Sequence, residues 1–383
     1  MNQQRFLAGI WLCGLSAMVL SHCNIPFEPK LKSTDTNALV VEGFIDGSSP
    51  ITFKLSRSRK LTAGDTASPI YELNARMAVE DDHQDAYPLT ETGNGVYSIA
   101  ASLSLNSGYQ YRVHIFTANG EEYLSDFVAF KTSPAIDSVG WAFQNGGVQV
   151  LVNTHDPANN TRYYRWSYSE TWEFNSAFYS SYQYDASNNT LIPRLVQINT
   201  CWQSDIASLI FLSSSANLSS DVISQKPLVF IPQHDPKLSI LYSIQVTQYA
   251  MDVTAYNYWL AMANNTQNIG SIFDPQPNET PGNIHCVTHP AELVVGYISA
   301  GNSSVTRTFI SNSSMPSGWN LPSSCFTNLV PNNPDSIKYY FGGTYDPVMQ
   351  VIMPGGAIFY SASSIPCVDC TLKGTNVKPS FWP

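Results

Sequence analysis

The chain has 383 residues, with 19 Lys and Arg against 29 Asp and Glu, a formal net charge of −10, and 13% charged residues beside 43% hydrophobic ones. An acidic chain with no basic stripe argues against nucleic acid as a partner, because phosphate neutralisation needs clustered Lys and Arg. Disorder is excluded on the same arithmetic: 8 Trp, 21 Tyr and 18 Phe supply ample apolar surface to offset chain entropy.

In chain order, the first segment reads as an address. Arg5 precedes an apolar run over residues 6–20, shorter than the roughly 20 residues that span a bilayer but suited to a signal-peptide core. Leu20-Ser21-His22-Cys23 resembles a bacterial lipobox, in which the Cys becomes the acylated N-terminus; His22 departs from the small residue usual at that position. The expectation is a signal peptide over 1–22, lipid attachment at Cys23 and an extended tether over 23–36, where Pro26 and Pro29 prevent helix. Two or more acyl chains anchor stably, so the mature chain would be held on a membrane.

From residue 38 the dominant period is two. Ile51, Phe53 and Leu55 alternate with polar residues, as do Tyr109, Tyr111, Val113 and Ile115, with turn residues such as Gly93-Asn94-Gly95 between the runs. This predicts an antiparallel β-sandwich over 37–133, with a junction at Thr132-Ser133-Pro134. A second sandwich is expected over 134–383, with strands at 139–143, 148–152, 163–172 and 241–249, and with Tyr164, Trp166 and Tyr168 on one face. Residues 173–237 read as a long insertion, too polar and irregular for core strands throughout. Asp252 caps a helix near 252–264, strands at 292–299 and 305–310 complete the second sheet, and 311–383 is a turn-rich tail. The predicted fold is therefore mainly β: two immunoglobulin- or fibronectin-like antiparallel sandwiches with one short helix and long loop elaborations.

Outside the leader and anchor, Cys201, Cys286, Cys325, Cys367 and Cys370 are disulfide candidates, an odd number whose partners sequence cannot assign. Cys367-Val368-Asp369-Cys370 reads as a structural staple rather than a redox motif, since no strand-to-helix turn surrounds it. The best metal candidate is His285-Cys286-Val287-Thr288-His289, whose imidazoles would share one side of a strand; the competing reading puts Cys286 in a disulfide and both His in solvent. A nucleophile elbow, a phosphate loop and a dinucleotide fingerprint are all missing from the sequence, so no catalytic residue and no cofactor are assigned. Trp172, Phe174, Phe178, Tyr179, Tyr182 and Tyr184, interleaved with Ser, Asn and Gln, form a candidate surface for glycan stacking or a protein interface, with core packing the default for any one of them.

Several ordered blocks carry a family resemblance: Cys23-Asn24-Ile25-Pro26-Phe27-Glu28-Pro29, Leu39-Val40-Val41-Glu42-Gly43, Tyr163-Tyr164-Arg165-Trp166, Tyr258-Trp259, the stretch from Gly270 to Pro277, and Phe381-Trp382. In these the chain resembles the Bacteroidota lipoproteins of domain-of-unknown-function family 4249. The resemblance implies an outer-membrane lipoprotein, periplasmic or surface-facing, that serves as a non-enzymatic accessory of a TonB-dependent receptor in cargo capture or import. The loop with Gly270, Phe273, Asp274, Pro275 and Pro277 is then a candidate docking element, stiffened by its prolines. The alternatives are a surface adhesin or glycan binder using the 172–184 aromatics, and a metal-dependent hydrolase around His285 and His289.

Overall fold

A computed structural model of the chain describes residues 37–59, 68–267, 280–320 and 323–383. The leader, Cys23 and the tether lie outside the described residues, as do Gly270, Phe273, Asp274, Pro275 and Pro277 of the expected docking loop. No helix among the described residues is long and apolar enough to cross a membrane.

The chain is mainly β, as its period-two patterning requires. The first body, however, is not an open sandwich. Strands Leu39–Asp46, Thr52–Arg57, Val96–Ser98, Ala86–Gly93, Arg76–Asp81, Gln110–Phe116 and Val128–Thr132 pair antiparallel in that order. Strand Ala300–Asn302 then bridges the last to the first through two parallel pairings, closing a ring of eight. Closure removes the sheet edges that an open sheet would expose. Leu39, Phe53, Leu55, Val79, Val113 and Ile115 fill the ring interior, all essentially inaccessible to solvent.

The boundary at 133 consequently fails on one count. Residues 284–302 return to the first body, where Ile284–Cys286 pairs Glu122–Ser125 and Val294–Val295 pairs the first strand, instead of completing the second sheet. The physical reason is that Ala300-Gly301-Asn302 carries no hydrophobic period and finds its partners far away in sequence. Its fit depends on glycine, since a Cβ on Gly301 would lie 1.8 Å from the Lys131 carbonyl oxygen.

The second body packs two sheets face to face. One comprises Ile136–Gln144, Gly147–Asp156 and Asp221–Pro232; the other runs Thr200–Ile206, Tyr163–Asn175, Leu241–Met251 and Ser304–Ser311, with Phe211–Ser214 also paired to Tyr163–Asn175. Val148, Val150 and Val152 meet the expected face of Tyr164, Trp166 and Tyr168 in one core. The core includes a satisfied polar knot: Trp166 Nε1 donates to Gln248 Oε1 at 2.9 Å, and Gln248 Nε2 donates to Pro134 O at 2.9 Å and Thr154 Oγ1 at 3.1 Å.

Two expectations about this body need correction. The supposed insertion at 173–237 contributes core strands to both sheets, including Asp221–Pro232 with Ile223, Leu228 and Ile231 buried. Its alternation is hidden by bulges against the neighbouring strand and by Gln225, whose φ of 51° turns the chain within the strand. The tail is also more ordered than its turn residues suggest. Strands Asn328–Pro331, Ile358–Ser364 and Tyr345–Ile352 form an antiparallel sheet, and a second helix, Pro334–Phe341, packs on it. Asn333 caps that helix and Pro334 opens it. The expected helix occupies Val253–Gln267, and Asp252 Oδ1 accepts from Ala255 N at 2.8 Å as its cap.

Candidate functional site

The cysteines resolve first. Cys201 bonds Cys370 and Cys325 bonds Cys367, so the Cys367 to Cys370 staple fastens two distant segments rather than one local turn. Cys286 is free and buried, which overturns its expected place in a disulfide.

The aromatic surface is not assembled. Trp172 is buried and Phe174 packs against the same core; Tyr182 and Tyr184 pack against the small C-terminal core, with the Tyr182 and Tyr360 rings 5.4 Å apart. Phe178 is half-buried, leaving Tyr179 alone exposed, at 61%. Alternation along Tyr163–Asn175 and the hairpin Tyr182–Asp185/Thr190–Pro193 sends these rings to different cores.

The imidazoles of the His285 to His289 motif also separate. On strand Ile284–Cys286 the exposed His285 contacts Asp126 at 3.3 Å, while Cys286 points inward. His289, in the following turn, reaches Glu121 instead, with Nδ1 2.7 Å from Oε2. One donor atom each from Glu121, Cys286, His289 and Glu292 falls within 4.8 Å of the others. Thr288 Oγ1 donates to Glu121, and Tyr123 OH donates to Glu292 Oε1 at 2.7 Å. The Thr288 hydroxyl first, and His289 second, hold the Glu121 carboxyl below its usual range. Sequence reasoning found Cys286 and His289 but missed both glutamates; Glu121 lies 165 residues from Cys286, and no local spacing signals it.

A cleft of about 660 Å³ lies between the two bodies. Its walls follow from strand alternation. On Leu39–Asp46 the inward side chains fill the ring, so Val40, Glu42 and Phe44 face the cleft. On Tyr163–Asn175 the even positions enter the core, and Arg165 and Ser167 face outward. Arg165 stands directly opposite Tyr249 in the ladder, and the helix that starts two residues after Met251 carries Trp259 back over it. The Arg165 guanidinium carbon lies 4.5 Å from the Tyr249 ring centre and 4.4 Å from that of Trp259. The Phe44 ring meets Tyr249 edge-on at 4.8 Å, bringing the first body into the same aromatic cage.

Arg165 is the only cation among the described residues lining this cleft, and no described residue accepts a hydrogen bond from its guanidinium. Burial depresses its pKa, opposed in part by Tyr249. Two acids line the cleft: the Asp46 carboxylate already accepts from Ser48 and Ser303, and the exposed Glu42 makes no ion pair with Arg165. Tyr297, at the same end as Arg165, has its phenol pushed up to about 12 by burial and is a neutral hydrogen-bonding group. The arrangement offers a half-buried, ring-flanked cation with open donor positions.

The family model described as "Domain of unknown function (DUF4249)" matches residues 25–307. The chain belongs to this family. The match takes in Arg165, Tyr249, Trp259 and the whole Glu121 to Glu292 cluster. Among curated proteins nothing matches. Of solved structures, a two-domain fibronectin type-III segment from chicken tenascin is similar at 11% identity over 56% of this chain and 92% of its own, with a TM-score of 0.16. A chitinase from Bacillus thuringiensis is similar at 12% identity over 48% of this chain and 30% of its own, also with a TM-score of 0.16. Likenesses at that score carry no structural or functional weight.

Proposed function

We propose that this DUF4249 protein is a non-enzymatic lipoprotein of the bacterial outer membrane that holds a small anionic ligand in the cleft between its two β bodies and works beside a TonB-dependent receptor. The observation that carries the ligand-binding part is Arg165: a guanidinium between two aromatic rings, with no carboxylate partner among the described residues, at the wall of the cleft. Guanidinium is the side chain best suited to grip a carboxylate, phosphate or sulfate in a bidentate way, and the flanking rings fix its plane. The apolar residues around it, including Phe44, Met262 and Val295, suit the body of an organic anion.

In this reading the signal peptide is removed, Cys23 carries the acyl chains, and the immunoglobulin- or fibronectin-like second body presents the cleft at a fixed height above the membrane. Tethering raises the effective concentration for a membrane partner without requiring a large interface. Nothing in the placement of the 172–184 aromatics favours the glycan-binding alternative, since most of those rings pack inward.

The test uses the mature protein extracted from membranes in mild detergent. Native mass spectrometry is expected to find lipid on Cys23 and a co-purifying small anion, and a pull-down is expected to recover a TonB-dependent receptor. Arg165→Gln should release the anion and leave the lipid and the fold in place. Retention of the same species by the variant removes the cleft from the proposal, and an unlipidated protein without a receptor removes the rest.

A further inference from the structure

We infer that Glu121, Cys286, His289 and Glu292 form a structural site for a zinc-class divalent cation. The donor set is one thiolate sulfur, one imidazole nitrogen and two carboxylate oxygens, a mixture matched to a borderline-soft cation rather than to calcium or magnesium, which take oxygen alone. Donors on a tetrahedral zinc stand roughly 3.2–3.8 Å apart, as follows from metal–ligand distances of about 2.0–2.3 Å. The four here already lie within 4.8 Å, so binding requires only a slight closing of side chains.

Three further observations support the site. The first is the redox state of the thiol. The other four cysteines among the described residues are joined in two disulfides, whereas Cys286 stays single in a chain built for an oxidising compartment. Its sulfur accepts from His289 N at 3.3 Å and lies 3.3 Å from Thr288 Oγ1; coordination would shield it from mispairing.

The second is the support behind the ligands. Tyr123 OH and Arg57 hold Glu292 at 2.7 and 3.4 Å, and Arg57 is itself matched by Glu72 at 2.5 Å. Thr288 does the same for Glu121. Outer hydrogen bonds of this kind orient metal ligands.

The third is position. Cys286 stands opposite Tyr123 in the ladder between Ile284–Cys286 and Glu122–Ser125, so Glu121 and Cys286 lie at one end of a single strand pair. An ion there fastens the start of the 284–302 excursion, which goes on to supply the strand that closes the ring and Tyr297 of the cleft wall.

Four protein donors leave no open coordination position, and the closed arrangement is that of structural zinc sites rather than catalytic ones. As the metal–sulfur bond forms, the Cys286 sulfhydryl proton is released to solvent. The site is independent of the anion cleft and stands or falls separately from it.

The experiment titrates the full mature chain, without a polyhistidine tag, with Zn²⁺ against a chromophoric chelator, and in parallel with Co²⁺. One equivalent should bind, Co²⁺ should give a thiolate-to-metal charge-transfer absorption, and Zn²⁺ should raise the melting temperature. Cys286→Ser should abolish that absorption and weaken zinc by more than the about 10–100-fold that losing an outer partner costs. His289→Gln, in an exposed turn where the fold is not at stake, should keep the sulfur absorption but weaken binding and cancel the thermal shift. Sub-stoichiometric binding by wild-type protein with a titratable thiol, or binding that both variants leave unchanged, overturns the assignment. If Cys286→Ser does not fold, the His289→Gln arm decides.

Discussion

Removing the Cys201–Cys370 bridge should destabilise the protein more than removing Cys325–Cys367. The outer bridge spans 169 residues and the inner one 42. In the chain-entropy relation a loop of the first length contributes about 5 kcal/mol and one of the second about 4 kcal/mol, by restricting the unfolded chain. The inner bridge shortens the outer loop by its own span, which changes the outer contribution by only about 0.3 kcal/mol because the dependence is logarithmic. Native contacts widen the gap. Behind Cys370, Thr375 exchanges two backbone hydrogen bonds with Trp202, and Trp382 Nε1 donates to Glu173 Oε2 at 2.9 Å. Freed at residue 370, this segment is held by such contacts alone. Guanidinium unfolding of Cys201→Ser/Cys370→Ser and Cys325→Ser/Cys367→Ser, followed by tryptophan emission, measures both losses. The reasoning fails if the order is reversed, or if the outer bridge proves worth less than about 1 kcal/mol, well under the usual range for a native disulfide.

Gln248→Leu should cost about 1–3 kcal/mol by stranding Trp166 Nε1, whereas Thr154 Oγ1 keeps its bond to Ala135 O, and a denaturation midpoint close to wild type would contradict the satisfied knot described above. Asp346→Asn should leave stability at pH 7 unchanged or slightly higher. Burial raises the Asp346 pKa against the pull of Arg194, so its charge opposes folding above the unfolded value, and a clear loss in thermal unfolding would show the ion pair to be net stabilising. For Glu80 the sign is opposite: burial works against its charge, but His114 and Arg112 outweigh it and lower the pKa. Its contribution is present above about 4.5 and lost as pH falls through the depressed value, so Glu80→Gln should flatten that part of the stability profile, and a profile parallel to wild type would exclude the linkage. Arg165→Met should hold or raise the stability of ligand-free protein while removing the bound anion; a destabilised variant that still carries the anion would invert the assignment of Arg165.

What could be read from the chain alone follows the range of the forces involved. Local patterns were legible: the alternation of Ile51, Phe53 and Leu55, the inward face of Tyr164, Trp166 and Tyr168, and the Asp252 cap are all set by neighbours within a few residues. Ring closure was not, because it rests on parallel pairings of Ala300–Asn302 with segments near residues 45 and 130. The same holds for the glutamates beside Cys286. Close backbone approach was half-visible. Gly282-Asn283 marks a turn by composition, but only the fold shows that a Cβ on Gly282 would meet the Gly296 carbonyl oxygen at 1.7 Å, and that Asn283 exchanges hydrogen bonds with the Ile298 backbone in both directions.

Arg165 joins both kinds of information. By alternation it belongs to the outward, wetted side of its strand, where an arginine needs no explanation. The first body and the helix Val253–Gln267 cover that side, turning an ordinary surface position into the wall of an aromatic-lined cleft. Stacking on two rings returns about 0.5–2 kcal/mol each. That leaves the guanidinium donors without an acceptor among the described residues, and a half-buried charge so placed is less favourable than a packed apolar side chain. A sequence under selection for stability alone would place methionine or leucine there. Local rules broken without compensation inside the fold point to compensation from outside it, and at this position the partner we propose is an anion.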